Sequence, residues 1–220
     1  MKNNKGITLV ALVVIIILLI IFSSVAVYTS VKSFEMIDLQ KYKTQMQAIQ
    51  SGLDEFYEEY ENFYEKNKET FRMYGGSESE YIELYLSYIK YIKEDENRNK
   101  TLQVYIDEIK SEGNSIDISD NYNCMYGNML NNPATIWWEN IAANYGITTD
   151  EAQVQKQYYG LKVDDMEELL GVSDIDISEY FVINFQKRYV FSVNSITIDK
   201  KDGSTADIYC LYELDVKKKL

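Results

Sequence analysis

An uninterrupted apolar run near the N-terminus constrains this chain more than any other feature. The run extends from Ile7 to Tyr28 without a charged residue, and it follows a short leader that carries Lys2 and Lys5. As an α-helix, the run spans about 33 Å, which is enough to cross the hydrocarbon core of a bilayer. The sequence therefore predicts one transmembrane segment, with a cytoplasmic N-terminus and an extracellular remainder.

Three kinds of segment fit such a run. A cleaved secretory signal peptide could use the small residues at 24–26 as its cleavage site, although the run is longer than the usual core of a signal peptide. An uncleaved signal anchor needs only the apolar length. The third interpretation depends on the residues at the junction between the leader and the run.

The junction KGITL, at positions 5 to 9, precedes a run rich in β-branched residues. It resembles the prepilin motif of type IV pilins and type II secretion pseudopilins. The resemblance implies that a prepilin peptidase cuts after Gly6 and that the new terminal residue, Ile7, is N-methylated. Glycine suits the cut because it has no side chain, so that an extended backbone can enter a narrow cleft.

The sequence departs from the family pattern at Ala11. The family has a glutamate four residues after the cleavage site, and in pilins that acid pairs with the terminal amine of a neighbouring subunit. Thr8, Leu9 and Ala11 would belong to the assembly helix, but Ala11 cannot make this ion pair. The resemblance therefore implies a pilin-like protein of Gram-positive, clostridial type, and it favours a minor or tip subunit over the repeating major subunit.

Beyond the apolar run, a helical pattern continues to about Arg72. Apolar residues recur alternately three and four positions apart, which is the spacing of an amphipathic helix. They are Leu39, Tyr42, Met46, Ile49, Leu53, Phe56, Tyr60 and Phe63. The predicted organisation is a leader at 1–6, a transmembrane half at 7–28 and an outer half at 29–73, and packing of the outer half on the rest of the chain is favoured over a coiled coil.

The predicted fold class is α+β. A second helical segment at 78–112 opens with a capping box, Ser77 to Glu80, and would form a helical hairpin with the first helix. An α+β head at 113–220 would follow, with short helices near 134–144, 148–158 and 164–170. Period-two patterns predict an antiparallel sheet from about residue 180, with strands at 180–185, 189–193, 195–199 and 206–214.

Composition and motifs exclude several kinds of chemistry. The chain has 35 acidic and 22 basic residues, a net charge of −13, so no direct binding to nucleic acid is expected. It has no histidine and no nucleotide-binding or hydrolase motif, so we expect neither an enzyme nor a cofactor. Alternating oxygens at 174–179 are a weak candidate for calcium, and no metal site is predicted.

The two cysteines, Cys124 and Cys210, leave two alternatives open. An extracellular head would allow a disulfide between them, and this bridge would close a long loop. The alternative is a pair of buried free thiols.

The function predicted from the resemblance is that of a structural subunit, a minor pilin or a pseudopilin. The expected partners are prepilin peptidase, other pilin or pseudopilin subunits, an assembly platform protein with its ATPase, and the lipid bilayer. The expected location is the cell membrane and, after assembly, a surface filament. The alternative is a membrane-anchored extracellular binding or adhesin domain that does not assemble into filaments.

Overall fold

The computed structural model describes residues 9–111 and 133–217. Its helices are α1 (Leu9–Lys66), α2 (Lys68–Tyr74), α3 (Glu78–Tyr91), α4 (Leu102–Ser111), α5 (Pro133–Asn140), α6 (Ala152–Gln155), α7 (Val163–Leu170) and α8 (Leu211–Lys217), with a 3₁₀ helix at Ala142–Tyr145. Its strands are β1 (Tyr159–Lys162), β2 (Tyr180–Asn184), β3 (Tyr189–Ser192), β4 (Ile196–Asp199) and β5 (Thr205–Ile208). The fold is α+β, and the strands pair in antiparallel sheets.

Helix α1 is a single helix of 58 residues. The boundary between two compact units, residues 1–42 and 43–220, falls inside it. The helix ends earlier than predicted, at Lys66. The side-chain amide of the next residue, Asn67, donates a hydrogen bond to the carbonyl of Phe63 in the last turn of α1 (2.9 Å). The chain then continues as the separate short helix α2 rather than as part of α1.

The transmembrane part of the predicted fold class is wrong. Among residues 9–111 and 133–217, no helix combines the length and the apolar character that crossing a membrane requires. The backbone stays helical through residue 28 and on to Lys66, as the continuous helical pattern predicted. From Leu9 onward, the apolar run belongs to a longer helix whose later part is rich in charged residues.

The amphipathic seam of α1 is confirmed for most of its residues. The buried members are Tyr42, Met46, Ile49, Leu53, Phe56 and Tyr60. Within the second unit, the ring of Phe56 lies 5.6 Å from that of Tyr85 on α3 and 5.1 Å from that of Phe185 beyond β2. Burial of one such side chain contributes about 1.5–3 kcal/mol to folding, so the seam holds α1 on the head from Lys43 onward.

The second helical segment lies within its predicted range of 78–112. It contains two helices, α3 and α4, and α4 packs against both α2 and α3. Their shared cluster consists of the buried residues Phe71, Leu84, Tyr88, Leu102 and Ile106. Between the two helices, Asn97 folds the intervening turn by donating from its side-chain amide to the Glu94 carboxylate (2.8 Å). The capping box at the start of α3 is confirmed.

The larger sheet has the strand order β1-β2-β3. Strands β2 and β3 lie close to their predicted positions and pair with Val182 opposite Phe191. Strand β1, with Tyr159 opposite Ile183, was not predicted. A helix was expected to extend to about residue 158, but α6 is a single short turn that follows Glu151 rather than Thr148.

The smaller sheet pairs β4 with β5. The predicted strand at 206–214 is wrong in its second half, because β5 ends at Ile208 and α8 begins at Leu211. The carboxylate of Glu213 turns back to accept the backbone N–H of Tyr209 (3.1 Å), which fixes the start of this helix. The segment is joined to the larger sheet by the N–H of Ser192, which donates to the carbonyl of Tyr209 (2.8 Å).

A second aromatic cluster fills the head beside these sheets. It consists of the buried residues Ala134, Trp137, Trp138, Ala142, Ile147, Tyr158, Val182, Phe191 and Cys210. The predicted short helix at 134–144 supplies four of them, as α5 and the 3₁₀ helix that follows it. This cluster forms the support for the cleft described next.

Candidate functional site

The described residues include only part of the predicted cleavage and assembly site at the N-terminus. Gly6, Ile7 and Thr8 lie outside the described residues, so cleavage and methylation stay predictions. Leu9 is the first residue of α1, and Ala11 follows in its first turn. The two positions are therefore helical, and their part in assembly stays a prediction.

The proposed disulfide is likewise only partly visible. Cys124 lies outside the described residues. Cys210 lies in the bend between β5 and α8 rather than on a strand, and it is buried. The bridge between these two cysteines stays a prediction.

The acidic stretch at 174–179 is held by a glutamine from α1. The Gln45 amide group donates to the carbonyl of Asp174 and to the carboxylate of Asp176, both at 2.9 Å. The Gln45 carbonyl accepts the backbone N–H groups of Asp176 (3.0 Å) and Ile177 (3.2 Å). In the described part of the chain, no cluster of acidic or cysteine side chains could hold a metal ion.

A cleft in the head, which sequence reasoning missed, is the candidate site. It has a volume of about 830 Å³ and is called the head cleft below. Its lining comes from α1, from the segment that includes the 3₁₀ helix, from the β2–β3 turn and β3, and from the start of α8. The lining residues are Gln50, Asn144, Tyr145, Gly146, Ile147, Thr148, Val154, Tyr158, Lys187, Tyr189, Val190, Phe191, Cys210, Leu211, Tyr212 and Glu213.

Aromatic rings form the base of the head cleft. The ring centroids of Tyr145 and Phe191 lie 4.9 Å apart. The centroid of the Trp137 ring lies 6.0 Å from that of Tyr145 and 5.0 Å from that of Phe191. Burial raises the pKa of Tyr158 above its ordinary value of 10.0. The base is thus a fixed aromatic surface with hydroxyl groups at its edge.

A buried carboxylate is fixed at one side of the head cleft. Glu213 is only 8% exposed, and it accepts hydrogen bonds from the hydroxyl of Tyr145 and from the backbone N–H of Tyr209. These two donors restrict the rotation of the carboxylate. Glu213 therefore presents hydrogen-bond acceptors in a defined orientation.

Two tyrosines that line the head cleft are largely exposed to solvent. Tyr189 is 51% exposed and Tyr212 is 78% exposed, on β3 and α8 respectively. Lys187, also exposed, lies in the β2–β3 turn, where its backbone N–H donates to the side-chain carbonyl of Asn184 (2.8 Å). The cleft thus combines a buried aromatic base with an exposed aromatic and polar rim.

The signal for this site in the sequence was weak. The many aromatic residues between 56 and 91 pack on one another and do not line the cleft. Tyr212 was assigned to a strand, and nothing in the local pattern placed it beside Tyr145. Only the tertiary fold brings these segments together.

Comparisons with known proteins returned no relative of this chain. No protein-family model matches the sequence, and neither a curated protein nor a solved structure is significantly similar to it.

Proposed function

We propose that this protein is a structural subunit, a minor pilin or a pseudopilin, of a type IV pilus-like or type II secretion-like filament. Prepilin peptidase cuts it after Gly6, and the subunit joins other pilin or pseudopilin subunits through its apolar N-terminal helix. An assembly platform protein and its ATPase drive this step from outside the chain. The head then lies on the surface of the filament, outside the cell.

The proposal rests on the difference between the two ends of α1: the first part is apolar in sequence, and the later part packs with the head. The helix runs from Leu9 to Lys66, and its first part has no charged residue before Lys32. From Lys43 onward the helix belongs to the same compact unit as the head, and its apolar seam is buried there. One end of the helix is thus occupied by the chain's own head, while the sequence of the other end suits packing among apolar helices.

The order of the elements agrees with this proposal. A long helix comes first, further helices follow, and the described antiparallel strands all lie after residue 158, with α7 and α8 among and after them. Contacts of the Gln45 side chain and the close approach at Gly52 fix α1 to the end of α7 and to the segment that follows it. Such fixation suits a subunit whose head must follow its helix during assembly.

A second candidate function is favoured by the head cleft. A surface-anchored binding domain that never assembles would use the same cleft and would need no cleavage after Gly6. The cleft alone does not separate the two candidates, because a filament subunit can also bind a ligand. The state of the N-terminus does separate them.

The test is mass spectrometry of the mature chain after co-expression with a prepilin peptidase. We expect a chain that begins at Ile7 and carries one added methyl group. Gly6→Leu should block the cut, while the matched leader variant Asn3→Ala should be processed normally. An intact leader on the unaltered chain, beside a control pilin that is fully processed in the same cells, would overturn the proposal.

A further inference from the structure

We propose that the head cleft binds a neutral oligosaccharide. The inference concerns the head alone and holds whether or not the chain assembles into a filament. It begins with size, because about 830 Å³ lies within the range of roughly 300–1,000 Å³ that small-ligand sites occupy. A few linked sugar rings fill such a volume.

The exposed tyrosines supply the first recognition element. Most large aromatic residues of the head are buried, whereas Tyr189 and Tyr212 remain 51% and 78% exposed on the lining of one cleft. A tyrosine ring offers a rigid apolar face with a polar tip, and its ordering on binding costs little entropy. A pyranose ring is the matching ligand, since one of its faces carries C–H groups and its edge carries hydroxyls.

The polar groups of the lining supply the second element. The Asn144 amide and the Thr148 hydroxyl both donate and accept hydrogen bonds. The Gln50 amide nitrogen already donates to the carbonyl of Arg188 (3.0 Å) and to the Asp54 carboxylate (3.4 Å), so Gln50 contributes its carbonyl as an acceptor. The Glu213 carboxylate, held by Tyr145 and Tyr209, adds acceptors in a fixed direction. Sugar hydroxyls, which both donate and accept, satisfy such a mixed set.

The charge of the cleft and of the chain disfavours anionic ligands. Among the described residues that line the cleft, Lys187 is the single cation and Glu213 the single acid, so the site has no net charge. The whole chain carries −13, which repels nucleic acids and other polyanions. A phosphorylated or strongly anionic ligand would need a cluster of basic side chains, and the described lining does not provide one.

The experiment uses the whole chain and three defined probes, namely the hexaoses of β-1,4-linked glucose, β-1,4-linked N-acetylglucosamine and β-1,4-linked mannose. We expect titration calorimetry to show binding of at least one probe with a Kd below about 1 mM. For that probe, Tyr212→Ala and Tyr189→Ala should each weaken binding by about tenfold or more, because each removes a stacking ring. Tyr212→Phe should stay within about threefold of the unaltered chain, because the ring is kept.

Met73→Ala is the matched control, since Met73 is 69% exposed on α2 and does not line the cleft. It should leave binding unchanged. Circular dichroism of each variant checks the fold, and substitutions at such exposed positions should not disturb it. Failure of all three probes to bind at about 5 mM would overturn the proposal, as would binding that survives the double substitution of Tyr189 and Tyr212 by alanine. A tyrosine-rich peptide that occupies the cleft when no saccharide does would overturn it as well.

Discussion

Gly52 of α1 lies directly against Leu170, the last residue of α7. A Cβ atom placed on Gly52 would fall 2.7 Å from the backbone oxygen of Leu170 and 3.1 Å from its Cβ. The same atom would lie 3.1 Å from Cγ1 of Val172. Glycine thus lets α1 and the end of α7 approach closely, and this explains a residue that is unfavourable inside a helix.

Replacement of this glycine should destabilise the head. In Gly52→Ala, the gain of about 1 kcal/mol in helix propensity is outweighed by the overpacking, which costs about 1–3 kcal/mol, because a backbone atom must move. We expect a net loss of up to about 2 kcal/mol in the free energy of unfolding, measured by urea titration. Ser51→Ala, at the exposed neighbouring position, is the control and should change stability by less than about 0.5 kcal/mol. A Gly52→Ala variant more stable than the unaltered chain would contradict this account.

The side chain of Gln45 should also stabilise the fold. Gln45→Ala removes four hydrogen bonds to the segment 174–177, and we expect a loss of about 1–2 kcal/mol in the free energy of unfolding. Gln45→Glu should cost more at neutral pH, because it places a carboxylate beside that of Asp176, and the extra cost should shrink as the pH is lowered. Gln47→Ala, at an exposed position of the same helix, serves as the control. Equal stability of the Gln45 and Gln47 variants in urea titrations would show that this contact contributes nothing.

The capping box at the start of α3 makes stability depend on pH in the acidic range. The backbone N–H of Ser77 donates to Glu80 (2.5 Å), and this bond, followed by the one from the Ser77 hydroxyl (2.9 Å), holds the pKa of Glu80 below its usual value of 4.5. Because the folded pKa is the lower one, the stabilisation is present above the unfolded pKa and is lost as the pH falls through the folded pKa.

Glu80→Gln should therefore lower the free energy of unfolding by about 0.5–1 kcal/mol near neutral pH. The difference from the unaltered chain should disappear at the acidic end, where Glu80 is protonated in both states. Urea titrations across this pH range provide the measurement. Stability curves of the two proteins that stay parallel down to the lowest pH would contradict the assignment.

Tyr85 should make the head sensitive to alkali. Burial, with a smaller effect of the Glu59 carboxylate, raises the pKa of Tyr85 from 10.0 to about 12. Since the folded pKa is the higher one, the stability that this tyrosine contributes is complete below the unfolded pKa and is lost as the pH rises through the folded pKa. Tyr85→Phe keeps the ring contacts with Phe56 and Phe63 and removes the ionisable group.

We expect Tyr85→Phe to shift the midpoint of alkaline unfolding upward, as measured by circular dichroism. Tyr212→Phe, at a highly exposed position, should leave the midpoint where it is. An unchanged midpoint in Tyr85→Phe would mean that other groups determine alkaline unfolding.

Sequence reasoning succeeded where a pattern extended over many residues. The seam from Tyr42 to Tyr60 follows one helical period for several turns, so the buried face could be identified without the structure. The hairpin of β2 and β3 was predicted because both strands are apolar and are separated by a polar turn at 186–188.

It failed where the structure depends on distant partners. Strand β1 has four residues, too few for a recognisable alternation, and it is a strand because Gly160 pairs with Val182. Helix α8 was mistaken for strand because its apolar residues do not reveal that Glu213 folds back onto Tyr209. The head cleft could not be predicted at all, because its lining comes from segments far apart in the chain, such as Gln50 and Tyr212.

The placement of the two tryptophans gives the head a selective optical reporter. Trp137 and Trp138 are the only tryptophans of the sequence, and both lie in the cluster that supports the head cleft. The cluster shared by α2, α3 and α4 contains tyrosine and phenylalanine but no tryptophan among its described residues. Intrinsic tryptophan fluorescence therefore reports on one side of the head and far-ultraviolet dichroism mainly on the helices, so a comparison of the two unfolding curves shows whether both clusters melt as one cooperative unit.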